Sequence, residues 1–287
     1  MPCRIWQLAN QTHTQMMGYV VKTETALVVI DGGTAGDAPF LLHILREAGG
    51  EKPHVDAWFL THPHLDHVDA FLRLMKEERG AFSVEQVCLR FPERGLLERG
   101  EPGCLHTWDA YQAARPLFLD KERLLNAGET FSIGDTKWEV LYVTDPTIEK
   151  NASNNSSLVL RLTAEGVSTL FLADLGKEGG EVLLKRHGGA LKSDIVQMAH
   201  HGQSAVYMDV YEAIRPDVCL WCAPRWLWEN DQGHRGYDSG VWDILSVREK
   251  MAALGVRRHV VHKDGTALLT LDQGSISAAC WHPFSAL

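Results

Sequence analysis

The stretch WFLTHPHLDHVDA, residues 58 to 70, places His62, His64, Asp66 and His67 within six positions. Imidazole nitrogens and a carboxylate at such spacing are donors for a divalent cation. The local pattern says how they are presented. The β-branched and aromatic run VDAWFL ends at Thr61, so His62 lies where a strand leaves a sheet. Pro63 keeps His62 out of any following helix. Val68, Phe71, Leu72 and Met75 then follow helical spacing, which puts Asp66 near a helix N-terminus, where a carboxylate is favoured. His62 and His64, two apart in an extended segment, point the same way, and Asp66 and His67 point at a neighbouring spot. One loop is thus able to supply two ligands to each of two adjacent ions. A lone loop histidine is usually a surface or hydrogen-bonding residue, but four ligand-type side chains at one strand-to-helix junction are the pattern of a metal site.

The rest of the chain must position that loop. Its 287 residues, 45% hydrophobic, suffice for a substantial core. Strand-like runs occur at 19–31, 55–61, 84–91, 138–144, 157–162, 168–174, 193–200, 217–222, 257–262 and 266–272. Helical patterns lie at 38–48, 67–78, 181–187, 206–214 and 238–254. The N-terminal half is rich in strands and hairpins and the C-terminal half alternates strand and helix. The expectation is a single α/β domain over 1–287, a four-layer αββα sandwich of two mixed β-sheets with helices outside. Residues 92–128 hold few strands and one helical pattern, TWDAYQAARPLF, and read as an inserted cover over one end.

A net charge of −9 disfavours sequence-blind binding to nucleic acid, and there is no polybasic run. No stretch reaches the ~20 apolar residues of a bilayer-spanning helix, so no membrane partner is expected. The start, MPCRIWQLANQTH, lacks the features of a signal peptide, and a cytoplasmic location is expected. Six scattered cysteines fit free thiols in a reducing compartment. Cys219 and Cys222 form a CxxC inside the strand-like run DVCLWC; three apart on a strand they face opposite sides, and both read as core residues.

THPHLDH resembles the HxHxDH signature of the metallo-β-lactamase fold superfamily. IDGG (30–33) resembles its short acidic-glycine motif. NNSSLVLRL (154–162), TLFLADLG (169–176) and SDIVQMAHHGQS (193–204) resemble the hydrolase domain of ComEC-like competence proteins and their stand-alone relatives. WCAPRWLWENDQGH and VVHKDG fit that branch more loosely. The resemblance spans nearly the whole chain outside 92–128 and identifies no substrate. It implies His62 and His64 on one metal, Asp66 and His67 on the other, and Asp174 bridging both. By its residues alone Asp174 is an acid closing an apolar strand, with a cap for the helix of KEGGEVLL as the alternative, and the matching motif order favours the bridge. In AHHG the expected ligand is His200, with His201 touching substrate or holding the ligand. Other branches carry a further histidine before the bridging aspartate. Here His106, inside the insertion, is the only histidine in that interval. Asn154 or Asn155 of NNSS stand at the matching region, with an ordinary polar turn as the alternative, and His234 is the candidate replacement ligand.

Nitrogen and carboxylate donors without cysteine suit Zn²⁺, with Mn²⁺ or Fe²⁺ fitting the same shell, so two divalent ions are the expected cofactors. The resemblance implies hydrolysis of a phosphodiester, ester or lactone by a metal-activated water, with Asp66 as ligand and orienter of the nucleophile and His201 or His234 stabilising negative charge. The expected partner is a small-molecule substrate, with Asn155, Trp226 and Trp228 as substrate contacts, although tryptophans in such a loop more often pack beneath it. A metal-binding sensor or scaffold without catalysis, and a metal-dependent nuclease, are the alternatives.

Overall fold

Strand propensity and core-facing alternation assemble two sheets whose strand ends meet at one rim. The computed structural model describes residues 1–281. Strands β1 (Cys3–Gln7), β2 (Gly18–Lys22) and β3 (Leu27–Asp31) pair antiparallel in succession, and β4 (His54–Leu60), β5 (Ser83–Leu89) and β6 (Glu122–Leu124) add on in parallel. Helices α1 (Ala38–Gly49) and α2 (Leu65–Glu77) make the parallel crossovers, and α3 (Arg94–Gly100) and α4 (Leu105–Ala114) lie between β5 and β6. The second sheet starts with β7 (Thr130–Ile133), β8 (Thr136–Tyr142), β9 (Val159–Ala164) and β10 (Val167–Phe171), all antiparallel. It continues in parallel through β11 (Ile195–Gln197), β12 (Val218–Trp221) and β13 (Arg258–Val261), connected by α5 (Lys177–His187), α6 (Met208–Ile214), α7 (Arg225–Trp228) and α8 (Ile244–Ala253). Finally β14 (Ala267–Asp272) and β15 (Ser275–Cys280) return to the first sheet beside β1.

Three buried clusters define the layers. Ile5, Tyr19, Ile30, Phe59, Trp138, Leu160 and Phe171, among others, interdigitate between the sheets. Leu41, Leu45, Phe71 and Met75 of the first helical layer pack on Trp58 and Val87. Leu183, Val210, Ile214 and Met251 of the second pack on Leu170, Val196 and Trp221. This is the expected αββα sandwich. Period-two alternation sends Cys219 outward to the helices and Cys222 inward between the sheets, and both thiols are free. Among the described residues no helix is long and apolar enough to cross a membrane.

Several boundaries differ from the sequence reading. The run 19–31 is a hairpin, turned where Thr23 N–H donates to the Ala26 carbonyl at 2.9 Å. Strands β1, β7 and β15 were not foreseen, being short or flanked by polar residues. The pattern at 238–254 becomes helical only at Ile244, after a glycine-bearing loop. Within 92–128 the chain forms two helices, and β6 joins the sheet edge. Pro102 and Gly103 separate the helices, and Pro116 ends the second earlier than its pattern suggested.

The helical segment between β5 and β6 is anchored on two sides. Tyr111, Ala114 and Phe118 join the core beneath α2. Leu96, Leu97 and Cys104 bury themselves against Ala152 of the NASNNSS loop, and Arg99 pairs with Glu149 at 2.6 Å. The backbone approach is tightest at Gly100, where an added Cβ would lie 1.8 Å from the Glu149 carbonyl oxygen and 2.7 Å from the Ala152 Cβ. Gly100→Ala gains up to about 1 kcal/mol of helix propensity. That gain is outweighed by a clash with backbone, which cannot rotate away, so the variant is expected to lose roughly 1–3 kcal/mol of stability in urea titrations. Amide hydrogen exchange should quicken across 92–121; unchanged stability and exchange would contradict the anchoring.

Candidate metal centre

Parallel strands of both sheets end on the same rim, and four of those ends deliver chemical groups. β3 ends in Asp31, β4 runs into Thr61 and His62, β10 leads to Asp174 and β11 to His201. Clefts at the carboxyl ends of parallel strands are where open α/β sheets bind ligands.

His62 is fully buried, with Nδ1 near Thr61 Oγ1 at 3.1 Å and Ser157 Oγ at 3.5 Å. Its Nε2 faces His64 Nδ1 at 3.1 Å and Asp174 Oδ2 at 3.9 Å. His64 precedes α2, and its carbonyl accepts the first helical N–H groups, those of His67 and Val68, at 3.1 Å each. Its Nε2 points outward to Glu101 Oε1 at 2.9 Å. Asp66 and His67 occupy the first turn of α2. His67 Nδ1 donates to Asp31 Oδ2 at 2.7 Å, and Asp31 also accepts from Thr61 N–H at 2.8 Å and Thr61 Oγ1 at 2.7 Å. The IDGG loop is zipped to the turn and its helix by Gly33 N–H on the His67 carbonyl and Ala70 N–H on the Gly33 carbonyl. Gly33 sits at φ +92°, and a Cβ there would meet Asp37 Oδ2 at 2.8 Å, so both conformation and space require glycine.

Asp174 Oδ2 lies 3.3 Å from both His67 Nε2 and His201 Nε2, and His201 Nε2 lies 3.2 Å from Asp66 Oδ2. His201 Nδ1 donates to the Cys222 carbonyl at 3.0 Å. Two donor sets result, His62–His64–Asp174 and Asp66–His67–His201, each with ligand atoms within 4.8 Å of one another. Asp174 touches both sets. The fit to cations rests on unmet polar demand: His67 Nε2, His201 Nε2 and Asp174 Oδ1 are all buried without a well-aligned hydrogen-bond partner. An unpaired buried polar atom costs about 1–3 kcal/mol, and cations seated among these donors would relieve that cost.

Ionisation follows the same geometry. Burial and the neighbouring His67 and His64 hold His62 well below the usual imidazole range. Burial opposes protonation of His201, but Asp174 and Asp66 outweigh it and raise the group to about 9. Burial also opposes protonation of His64, and its contacts with Cys104 and Glu101 raise it to about 9. Asp66, despite burial, is lowered to about 2 by its contact with His201 and by His67.

The structure exchanges the two histidines of AHHG relative to expectation. Residues 200 and 201 both adopt left-handed backbone, φ 51° and 59°, and the chain reverses so that His201 enters the cluster while His200 stays half-buried beside it. Backbone of this kind is uncommon outside glycine and concentrates at functional sites. His234 is exposed and belongs to neither donor set among the described residues. Asn155 turns away: its amide donates to the Lys150 carbonyl and Glu178, and its oxygen accepts Gly179 N–H at the start of α5. Asn154 donates to Asn151, leaving Oδ1 buried and unpaired. His106 Nδ1 donates to the Gly103 carbonyl at 2.9 Å, outside both sets. Trp226 packs at a tilt against Trp242 and donates to the His13 carbonyl, while Trp228 packs on Trp221 under Arg248. Both serve packing, as tryptophans in such loops usually do. Asp31 and Glu101 were missed as supports. Asp31 carried a signal, an acid closing an apolar strand before two glycines; Glu101 carried none.

Residues 17–221 match the family model of the metallo-beta-lactamase superfamily. Over 209 residues, 72% of this chain, the sequence is 35% identical to competence protein ComA of Neisseria gonorrhoeae. Over 148 residues it is 29% identical to ComE operon protein 3 of Bacillus subtilis. The chain spans only 25% and 17% of those two proteins. In fold it is similar to the metallo-beta-lactamase fold protein YhfI of Bacillus subtilis, with a TM-score of 0.54 at 12% identity over 93% of this chain and 99% of that one. It is also similar to the diiron beta-hydroxylase CmlA of Streptomyces venezuelae, with a TM-score of 0.53 at 13% identity over 94% of this chain and 54% of that one. At those identities the structural likenesses establish fold alone.

The raised histidines predict how metal uptake depends on pH. Below about 9, His64 and His201 carry protons in the metal-free protein. A cation needs the neutral imidazole, so binding at pH 7 releases protons and weakens as pH falls. Calorimetric titration of Zn²⁺ in two buffers of different ionisation enthalpy should show that release, and pH-independent affinity between 6 and 9 would contradict it. His201→Ala should lower metal content after dialysis, whereas His200→Ala should leave it at the wild-type level.

Proposed function

We propose, from the premise that this chain belongs to the ComEC-like branch of the metallo-beta-lactamase superfamily, that it is a dinuclear metal-dependent hydrolase acting on a small phosphodiester or ester. The convergence of His62, His67 and His201 Nε2 on Asp174 Oδ2, at 3.9, 3.3 and 3.3 Å, is the observation that carries this reading. His62, His64 and Asp174 would hold one divalent ion and Asp66, His67 and His201 the other, with Asp174 shared. The donor set suits Zn²⁺, with Mn²⁺ and Fe²⁺ as further candidates. Such an ion pair, when bound, supplies an acidified water and a clamp on the electrophile and its leaving oxygen.

The chain's own groups do the rest. The Asp66 side chain is 12% exposed against 2% for Asp174, so Asp66 is the carboxylate that meets incoming solvent and can orient an attacking water. His200, half-buried with its ring 6.1 Å from that of His201, is our candidate donor to a developing oxyanion, a role the sequence reading gave to His201 or His234. Outer hydrogen bonds from Thr61, Asp31 and the Cys222 carbonyl fix the imidazoles, so little reorganisation accompanies reaction. The helical cover at the His64 side and the net charge of −9 favour a compact substrate over a long polyanion. Free thiols at all six cysteines support a reducing, cytoplasmic setting.

The test is turnover of bis-p-nitrophenyl phosphate, p-nitrophenyl esters and single- and double-stranded DNA, each with and without chelator. Chelator-sensitive hydrolysis of a small substrate, reduced at least ~100-fold in Asp66→Ala, is expected. Activity on DNA alone would move the assignment to a nuclease. Full metal loading with no turnover on any substrate would favour a sensor or scaffold.

A further inference from the structure

Of the four imidazoles in the two donor sets, His64 differs in how it is held. His62, His67 and His201 each turn Nε2 toward Asp174 and are buried completely. His64 instead turns Nδ1 inward, toward His62 Nε2 at 3.1 Å, and its side chain is 21% exposed. It sits ahead of α2, outside the helical packing that fixes His67. What restrains it is Glu101, whose Oε1 accepts from His64 Nε2 at 2.9 Å while Oε2 accepts from Ser153 N–H at 2.9 Å. Glu101 is therefore a strut between the first donor set and the NASNNSS loop. Its backbone is fixed in turn, because the Cys104 thiol donates to the Glu101 carbonyl at 3.0 Å and Gly100 is pressed against residues 149–152.

The chemistry of imidazole gives this strut a consequence. A neutral histidine carries its proton on one nitrogen and its lone pair on the other, and only the lone pair binds a cation. A carboxylate at Nε2 selects the Nε2–H tautomer and leaves Nδ1 bare on the side of His62 and Asp174. We propose that Glu101, delivered by the cover, is a positioning residue of the first cation position, holding His64 in the tautomer and orientation that present Nδ1 to the ion. This rests on the two-cation reading of the site. The inserted cover is thereby part of the centre it overlies, and cover docking and first-site affinity are linked. Glu101 Oε1 and Cys104 Sγ also lie within 4.8 Å of a His64 nitrogen, so the same trio could in principle be a ligand set of its own. The inward Nδ1 argues against that, since His64 cannot direct one lone pair both ways.

The experiment is Zn²⁺ titration of the full chain against a chromophoric chelator, with metal content by mass spectrometry and long-range ¹H–¹⁵N NMR of the histidine rings. Wild type should bind two ions, with His64 in the Nε2–H form. Glu101→Ala should weaken one ion about 10–100-fold, leave the other unchanged and mix the His64 tautomers. Glu101→Gln retains an acceptor and should recover part of the loss, which also guards against a merely unfolded alanine variant. Cys104→Ser keeps a donor for the Glu101 carbonyl while removing the thiolate, and should bind both ions as wild type does. Two ions bound by Glu101→Ala as tightly as by wild type would overturn the proposal and leave the hydrolase reading intact. Equal losses in Glu101→Ala and Cys104→Ser would also overturn it, making the trio a ligand set. Wild type binding no ion would instead refute the two-cation reading itself.

Discussion

A buried carboxylate needs a positive partner, and Asp174 organises the rim around that need. One of its oxygens is within 4 Å of three imidazole nitrogens, and the other is buried without a partner. Moving an ionised carboxylate out of water is costly unless charge and hydrogen bonds compensate. In the metal-free state, protons on His67 and His201 supply the compensation, which is why those groups are raised while Asp174 is held low. Cations meet the same demand and satisfy the unpaired lone pairs as well. The site is thus poised between two ways of neutralising one acid.

The fold meets this constraint by bringing donors from distant parts of the chain to one edge. Turns are able to carry the ligands because rigid strands of two sheets end immediately beneath them. Each imidazole is then fixed by its far nitrogen: His62 by Thr61, His64 by Glu101, His67 by Asp31 and His201 by the Cys222 carbonyl. Three of those supports come from the sandwich, and one comes from the helical segment between β5 and β6. Close backbone approaches at Gly33 and Gly100 hold the IDGG loop and the cover where these bonds form.

The HxHxDH turn was legible in the sequence because its geometry is local. A strand end, a proline and a helix start fix four donors over six residues with no need of the remaining fold. Layering was legible too, since apolar periodicity reports burial directly. Two kinds of information were not. Which histidine of AHHG enters the cluster depends on consecutive left-handed residues, and no spacing rule reports those. The support from Glu101 depends on tertiary docking of two helices whose own pattern shows only an amphipathic cover. His234 and the tryptophans of 226–228 looked chemical because of their residue types, yet exposure and packing decide their fate, and those are properties of the folded chain.

Crystals grown with Zn²⁺ and measured at the zinc absorption edge test the central claim most directly. Two anomalous peaks are predicted, one bounded by His62, His64 and Asp174, the other by Asp66, His67 and His201, with Asp174 reaching both. A rim with no anomalous density, or a single peak ligated by His200 or His234 instead of His201, would contradict the account.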